Sequence, residues 1–287
     1  MTLGCLAVRA AGEVTLRVRH RPGGRLPPFL LVHGMAANAR VWDEVAEVLA
    51  GKGHAVYAVD LRGHGESDSP DHGHDTATAA ADLAGLCSRL GLSRAVVAGH
   101  SWGGHVAVRL AAEQPDLVAA LALLDGGWLD PSAAFGSWDR YSASLPRPNL
   151  ARLSPDGVRD SLRAIHPTWS PTAVEASMAS MTVHPDGSLS PRPTADRQAE
   201  ILRSIWDDPP ARYFPAITAP VLLMPALPKG IDRRWAQRIR SVVESAAAAL
   251  PSASIREYLD SDHDLHAQHP ARVAADLLSL AGSLTAR

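Results

Sequence analysis

The pentapeptide Gly99-His100-Ser101-Trp102-Gly103 is the strongest chemical signal in the chain. A serine is a poor nucleophile unless its hydroxyl is exposed and a neighbouring base takes its proton. Glycines on either side free a cramped backbone, so the serine can stand on a sharp strand-to-helix turn with its hydroxyl in the open. The helix that follows aims its first N–H groups back at the reacting centre. The five residues alone are moderately specific. Their setting, directly after the apolar run 95–98 and before a helical stretch, points to a nucleophile rather than a structural turn serine.

Such a serine needs a base, and the chain offers His263, His266 and His269 within Asp262-His263-Asp264-Leu265-His266-Ala267-Gln268-His269-Pro270. His263 falls first in the loop after the last apolar strand and is the expected base. His266 and His269 lead into the final helix as surface or supporting groups. The cluster has the residue types of a metal site, but no matching ligand cluster occurs elsewhere, so neither a metal nor a cofactor is expected. Acyl transfer also needs two N–H donors for the oxyanion. The residue after the nucleophile supplies one, the Trp102 N–H. The loop His33-Gly34-Met35 after an earlier strand supplies the other, at the Met35 N–H. His33, Gly34, Trp102, Trp128 and Trp138 are the expected substrate contacts.

The elements that must carry these groups alternate. Residues 3–8 and 14–19 read as a strand pair, and 29–32, 55–59, 95–98 and 117–124 as short apolar strands of the kind buried on both faces. Helical spacing covers 42–50, 76–90 and 102–114. This rhythm predicts right-handed βαβ units and a mostly parallel sheet, with ligand chemistry at the strands' carboxyl ends. His33, Ser101 and Asp125 all follow such ends. Between 126 and 215 the rhythm stops. This stretch holds 12 of the 22 prolines and four of the seven tryptophans, and reads as a mostly helical insertion covering the site. The rhythm resumes with a strand at 221–224, a helix at 232–250, a strand at 254–259 and a helix at 270–280. The domain reading is therefore a core of 1–125 with 216–287, and an insertion of 126–215.

Composition narrows the class. The 287 residues are 46% hydrophobic and 20% charged, as in ordinary globular chains. With 28 basic against 30 acidic residues the formal net charge is −2, which argues against nucleic acid or an anionic membrane surface as partner. The start of the chain lacks a basic head followed by a long apolar run, and no stretch is apolar enough to span a bilayer, so a cytoplasmic location is expected. The partner expected is a small-molecule substrate; a homodimer is compatible. Cys5 and Cys87 lie far apart without metal-type spacing and read as free thiols.

Four stretches together resemble the α/β-hydrolase superfamily, of the compact capped type. They are Leu31-Val32-His33-Gly34, Asp60-Leu61-Arg62-Gly63-His64-Gly65-Glu66-Ser67-Asp68, Gly99-His100-Ser101-Trp102-Gly103-Gly104, and the run from Asp262 to Pro270. They frame nearly the whole chain outside 126–215. The resemblance implies an α/β fold with a helical cap and a Ser-His-acid triad. In the commonest family pattern the acid follows the strand at 221–224. That loop here reads Pro225-Ala226-Leu227-Pro228-Lys229-Gly230-Ile231-Asp232, with lysine about where the acid belongs. Some branches take the acid from the end of the preceding core strand, which is Asp125 in this chain. Asp125 is the preferred acid and Asp232 the alternative, since Asp232 also suits a helix cap.

The expected activity is cleavage of an ester, lactone or thioester of a medium-sized apolar substrate. Alternatives on the same scaffold are a biosynthetic cyclase or lyase, a C–C bond hydrolase, or a non-catalytic ligand-binding homologue. Haloalkane or epoxide chemistry needs a carboxylate at the elbow, where this chain has Ser101.

Overall fold

The computed structural model describes residues 3–10, 14–144 and 153–285. In chain order the core opens with β1 (Gly4–Arg9), β2 (Thr15–Arg21), β3 (Phe29–Val32), α1 (Asp43–Gly51), β4 (Val56–Val59), α2 (Thr76–Leu90), β5 (Ala95–His100), α3 (Trp102–Glu113) and β6 (Val118–Leu124). A segment follows with α4 (Pro131–Phe135), α5 (Trp138–Ser144), α6 (Pro155–Ile165), α7 (Pro171–Met178), β7 (Met181–Val183), β8 (Leu189–Pro191) and α8 (Ala195–Asp207). The core closes with β9 (Val221–Met224), β10 (Ala226–Leu227), α9 (Arg233–Ala249), β11 (Ala253–Ile255), β12 (Tyr258–Leu259), α10 (Leu265–Gln268) and α11 (Pro270–Thr285).

Eight strands form one sheet in the order β1-β2-β4-β3-β5-β6-β9-β11. The β1–β2 and β2–β4 pairs are antiparallel and the remainder parallel. The central strands β3, β5, β6 and β9 are buried along their whole length, which is why they read as continuous apolar runs. Successive residues still face opposite layers. Leu30 and Val32 join the core cluster that holds the inner faces of α2 and α3, whereas Phe29 and Leu31 join the one that holds those of α1 and α11. Two helical layers thus clamp the sheet and fix where its carboxyl ends lie.

Three expectations change in detail. The single strand at 254–259 is split into β11 and β12, and β12 pairs with β10 outside the main sheet. Pro225 explains the break: without an N–H it interrupts the ladder between β9 and β10, while its carbonyl still accepts from Tyr258 N–H at 2.9 Å. The last helix runs to Thr285, past 280. The segment after β6 holds a β-hairpin, β7–β8, besides its helices. The hairpin turns at Asp186-Gly187, with Gly187 at φ 82°, a local signal readable in the sequence.

Three helices of that segment start Asp-Pro or Ser-Pro. Pro131, Pro155 and Pro171 take the first helical position, and Asp130, Ser154 and Ser170 cap it. Polar ties fasten the segment to core loops. Glu200 accepts from the Gly73 and His74 N–H groups at 3.0 and 2.9 Å, and Asn38 donates to the Ala176 carbonyl and Ser180 Oγ at 2.7 Å each. Cys5 and Cys87 are free, and burial pushes the Cys87 thiol up to about 11. Among the described residues no helix is long and apolar enough to cross a membrane.

Candidate active site

Ser101 sits between β5 and α3 at φ 53°, ψ −120°, a conformation that strains any residue with a side chain. Its neighbours make the turn possible. A Cβ on Gly99 would collide with the Gly103 carbonyl, and one on Gly103 with the Val32 and His33 carbonyls. Hence both flanking glycines are steric necessities. The strain is held by main-chain anchoring, since Ser101 N–H donates to the Leu124 carbonyl of the adjacent strand at 2.9 Å.

Asp125 is the first residue beyond β6 and is likewise forced to positive φ, at 42°. Its N–H donates to the Met224 carbonyl at 3.0 Å, and its Oδ1 accepts from Ala226 N–H at 3.0 Å. That leaves Oδ2 to accept from His263 Nδ1–H at 2.6 Å. The carboxylate can only accept, so the imidazole carries its proton on Nδ1 and leaves Nε2 as an acceptor. Desolvation disfavours charge on this ring, but the hydrogen bond and charge of Asp125, reinforced by Asp264 and Asp262, outweigh it and raise His263 to about 9. Asp232, the alternative acid, is used elsewhere: its Oδ1 caps α9 by accepting from the Arg234 and Trp235 N–H groups at 2.8 and 3.3 Å.

Ser101 and His263 are brought to one rim. His100, the residue before the serine, donates from Nε2 to the His263 carbonyl at 2.9 Å, and the two rings lie 4.6 Å apart. A Cβ on Gly126, next to Asp125, would strike the Ser101 backbone. Among the described residues neither Ser101 Oγ nor His263 Nε2 is engaged in a hydrogen bond. The hydroxyl is free to rotate, and such catalytic contacts commonly form only when substrate arrives.

Among the described residues, two backbone N–H groups on the loops next to Ser101 are unengaged, those of Met35 and Trp102. The first follows β3, and the second opens α3, where N–H groups have no partner within the helix. A Cβ on Gly34 would stand 3.0 Å from Ser101 Cβ, so the two loops touch at the nucleophile.

Known proteins share the family and the fold of this chain. The model of the alpha/beta hydrolase fold matches residues 27–150. The 2-(acetamidomethylene)succinate hydrolase of Mesorhizobium japonicum is 30% identical over 213 residues, 74% of each chain. The chain belongs to the α/β-hydrolase superfamily. The crystal structure of an E-2-(acetamidomethylene)succinate hydrolase superposes with a TM-score of 0.79 at 23% identity, covering 97% of this chain and 99% of that one. A thioesterase domain from the curacin biosynthetic pathway gives 0.74 at 20% identity, covering 97% and 100%. Both share the fold, and this α/β-hydrolase is an enzyme of the hydrolase class.

Several side chains expected at the substrate of this α/β-hydrolase do other work. His33 is wholly buried. Its Nε2 accepts from Leu61 N–H at 3.0 Å, so Nδ1 carries the proton and donates to the Gly34 carbonyl at 2.8 Å. Burial pushes its pKa down. It braces the Gly34-Met35 loop and offers nothing to a ligand. The Trp102 indole is 1% exposed, stacks on His64 and donates to Thr76 Oγ1 at 3.0 Å, so its side chain is committed to the core. Trp138 packs among Tyr141 and Trp206 with Arg203 over its ring, against the same core cluster. Trp128 is half-buried against the main core.

Two positions went unnoticed in the sequence. His100 occupies the first variable place of G-x-S-x-G, where the motif demands nothing. His166 follows α6 and meets Asp262 at 2.9 Å. Among the described residues, His100, Asp264 and His266 bring ligand atoms within 4.8 Å of one another, a grouping that could hold a metal ion. As folded, however, the His100 Nε2 hydrogen is committed to the His263 carbonyl. Burial, aided by the nearby His263, holds His100 well below the usual histidine range, and burial with His100 does the same to His266.

Proposed function

We propose that the protein is a serine hydrolase that cleaves a carboxylic ester, lactone or thioester of a medium-sized apolar substrate through an acyl-enzyme. The observation that carries this reading is the 2.6 Å contact between Asp125 Oδ2 and His263 Nδ1 beside a strained Ser101. Ser101 Oγ attacks the carbonyl carbon while His263 Nε2 takes its proton. Asp125 keeps the imidazole in the tautomer that can accept and stabilises the imidazolium that forms. The negative oxygen of the tetrahedral intermediate takes hydrogen bonds from the Met35 and Trp102 N–H groups, each contributing about 2.7–4 kcal/mol of transition-state stabilisation. His263 then protonates the leaving oxygen or sulfur as the acyl-enzyme forms. Water, deprotonated by the same ring, attacks the acyl carbon and restores Ser101. The segment 126–215 acts as the cap.

The 30% identity with a 2-(acetamidomethylene)succinate hydrolase favours a second reading, hydrolysis of an amide by the same steps. A panel of p-nitrophenyl esters, lactones, acyl thioesters and N-acyl amides separates the two. An ester, lactone or thioester should be turned over fastest, and Ser101→Ala should lose that turnover while staying folded. A Ser101→Ala enzyme working at the native rate on the best substrate contradicts the mechanism.

A further inference from the structure

The loop that carries His263 is held from two sides. From the core, His100 Nε2 donates to the His263 carbonyl at 2.9 Å. From the inserted segment, His166 reaches Asp262, the residue before the base. The Asp262 carboxylate divides its oxygens. Oδ1 accepts from Asp264 N–H at 3.1 Å and so closes the turn on which His263 stands. Oδ2 takes His166 Nδ1–H at 2.9 Å. Because a carboxylate can only accept, the proton of that contact belongs to His166. Asp262 N–H donates to Gln268 Oε1 at 2.8 Å, which ties the turn to α10.

His166 is itself well placed to hold the turn. It ends α6, where its N–H donates to the Leu162 carbonyl at 2.8 Å. Its ring lies flat on Trp169, 3.9 Å between centroids at 13°. Immediately beyond, Ser170 Oγ donates to Glu44 at 2.7 Å, and the carbonyl of Ala176 in α7 accepts from Asn38, which caps the turn after the Gly34-Met35 loop. The α6–α7 stretch therefore touches the base loop at one end and the oxyanion side at the other.

We propose that His166 is a positioning residue: through Asp262 it sets the orientation of His263, so that the seat of the inserted segment and the alignment of the base are determined together. The inference rests on the serine-hydrolase reading above, in which His263 is the base. His166 touches no reacting atom in this scheme. Its effect passes through the turn, and a 1 Å error in a base's placement can cost about 10²-fold in rate.

The test compares His166→Ala, His166→Phe and His166→Asn, with Ser101→Ala as control, on the fastest substrate of the panel. Phe keeps a ring on Trp169 without the donor, which covers the case in which Ala loosens the fold. Asn places an amide N–H near the position of Nδ1. We expect His166→Phe and His166→Ala to lower kcat about tenfold, and His166→Asn to recover to within about threefold of wild type. Labelling of Ser101 by a small fluorophosphonate, which does not fill the space under the inserted segment, should slow in parallel. A purely structural role moves KM or Tm and leaves kcat and labelling unchanged. That outcome, or an Asn variant as slow as Phe, overturns the proposal. If Ser101→Ala is inactive while His166→Phe works at the native kcat, the positioning role fails and the serine mechanism stands. If Ser101→Ala remains active, the underlying reading fails first.

Discussion

Replacing Asp125 by asparagine should do more than delete a charge. Asp125 Oδ1 is held by the Ala226 N–H at 3.0 Å, a donor that an amide oxygen can satisfy and an amide nitrogen cannot. An asparagine therefore keeps its oxygen toward Ala226 and turns its NH₂ toward His263 Nδ1, where the carboxylate Oδ2 now stands at 2.6 Å. The amide donates, so Nδ1 must accept and the imidazole proton moves to Nε2. That tautomer cannot take the Ser101 proton. A loss of about 10³–10⁴ in kcat is expected, with KM nearly unchanged. This corresponds to about 4–5.5 kcal/mol of lost transition-state stabilisation. Loss of the carboxylate also removes the main force lifting His263 to about 9. The ascending limb of kcat/KM against pH in the free wild-type enzyme should lie near that value, and it should move to lower pH in any residual activity of Asp125→Asn. Steady-state kinetics from pH 5 to 10 on the best ester provide the assay, with Asp232→Asn as comparison. An Asp125→Asn enzyme within tenfold of wild type, or an Asp232→Asn enzyme that falls as far, refutes the reasoning.

Other outcomes follow from the same geometry. Gly34→Ala places a methyl 3.0 Å from Ser101 Cβ and His100 Nδ1, so kcat should drop about tenfold while circular dichroism stays native. Gly103→Ala drives a methyl into the Val32 and His33 carbonyls, neither of which can move without the sheet; loss of soluble folded protein or a destabilisation of about 4 kcal/mol or more is expected in denaturant melts. Arg62 and Asp82 form a buried bidentate pair at 2.6 and 2.8 Å; Arg62→Ala strands the carboxylate and should cost about 3–5 kcal/mol, lowering Tm by about 10 °C in calorimetry. His263 also links stability to pH. Its folded pKa is raised, so the stabilisation is fully present below its ordinary value of 6.5 and is lost as pH rises through about 9. The corresponding slope in Tm between those limits should flatten in Asp125→Asn.

Most of the frame was readable from residue pattern. The fully buried strands appear as apolar runs because both faces are covered, and α2 runs over 76–90 because Asp75 caps it and Gly91, at φ 63°, ends it. Ser101 was legible because its turn tolerates only glycine at Gly99 and Gly103. His263 and Asp125 were legible as residues just past strand ends, though their contact spans 138 positions and no local pattern encodes it. Tryptophan misled for a physical reason. An indole beside a nucleophile can wall a pocket or fill the core behind it, and hydropathy is the same in both cases; the Thr76 hydroxyl that receives the Trp102 N–H lies 26 residues away. His33 was misread similarly, because its partner Leu61 N–H belongs to the next strand-end loop. His166 carried no signal, since its importance comes entirely from meeting Asp262 across 96 residues.

The central claim is that Ser101 is the group that attacks. Intact-mass and peptide mass spectrometry after treatment with a fluorophosphonate test it most directly. One phosphonyl group per chain is predicted, on the peptide bearing Ser101, absent from Ser101→Ala and slowed in Asp125→Asn. Undiminished labelling of Ser101→Ala, or a wild-type enzyme that turns over its ester yet takes no label at Ser101, contradicts the account.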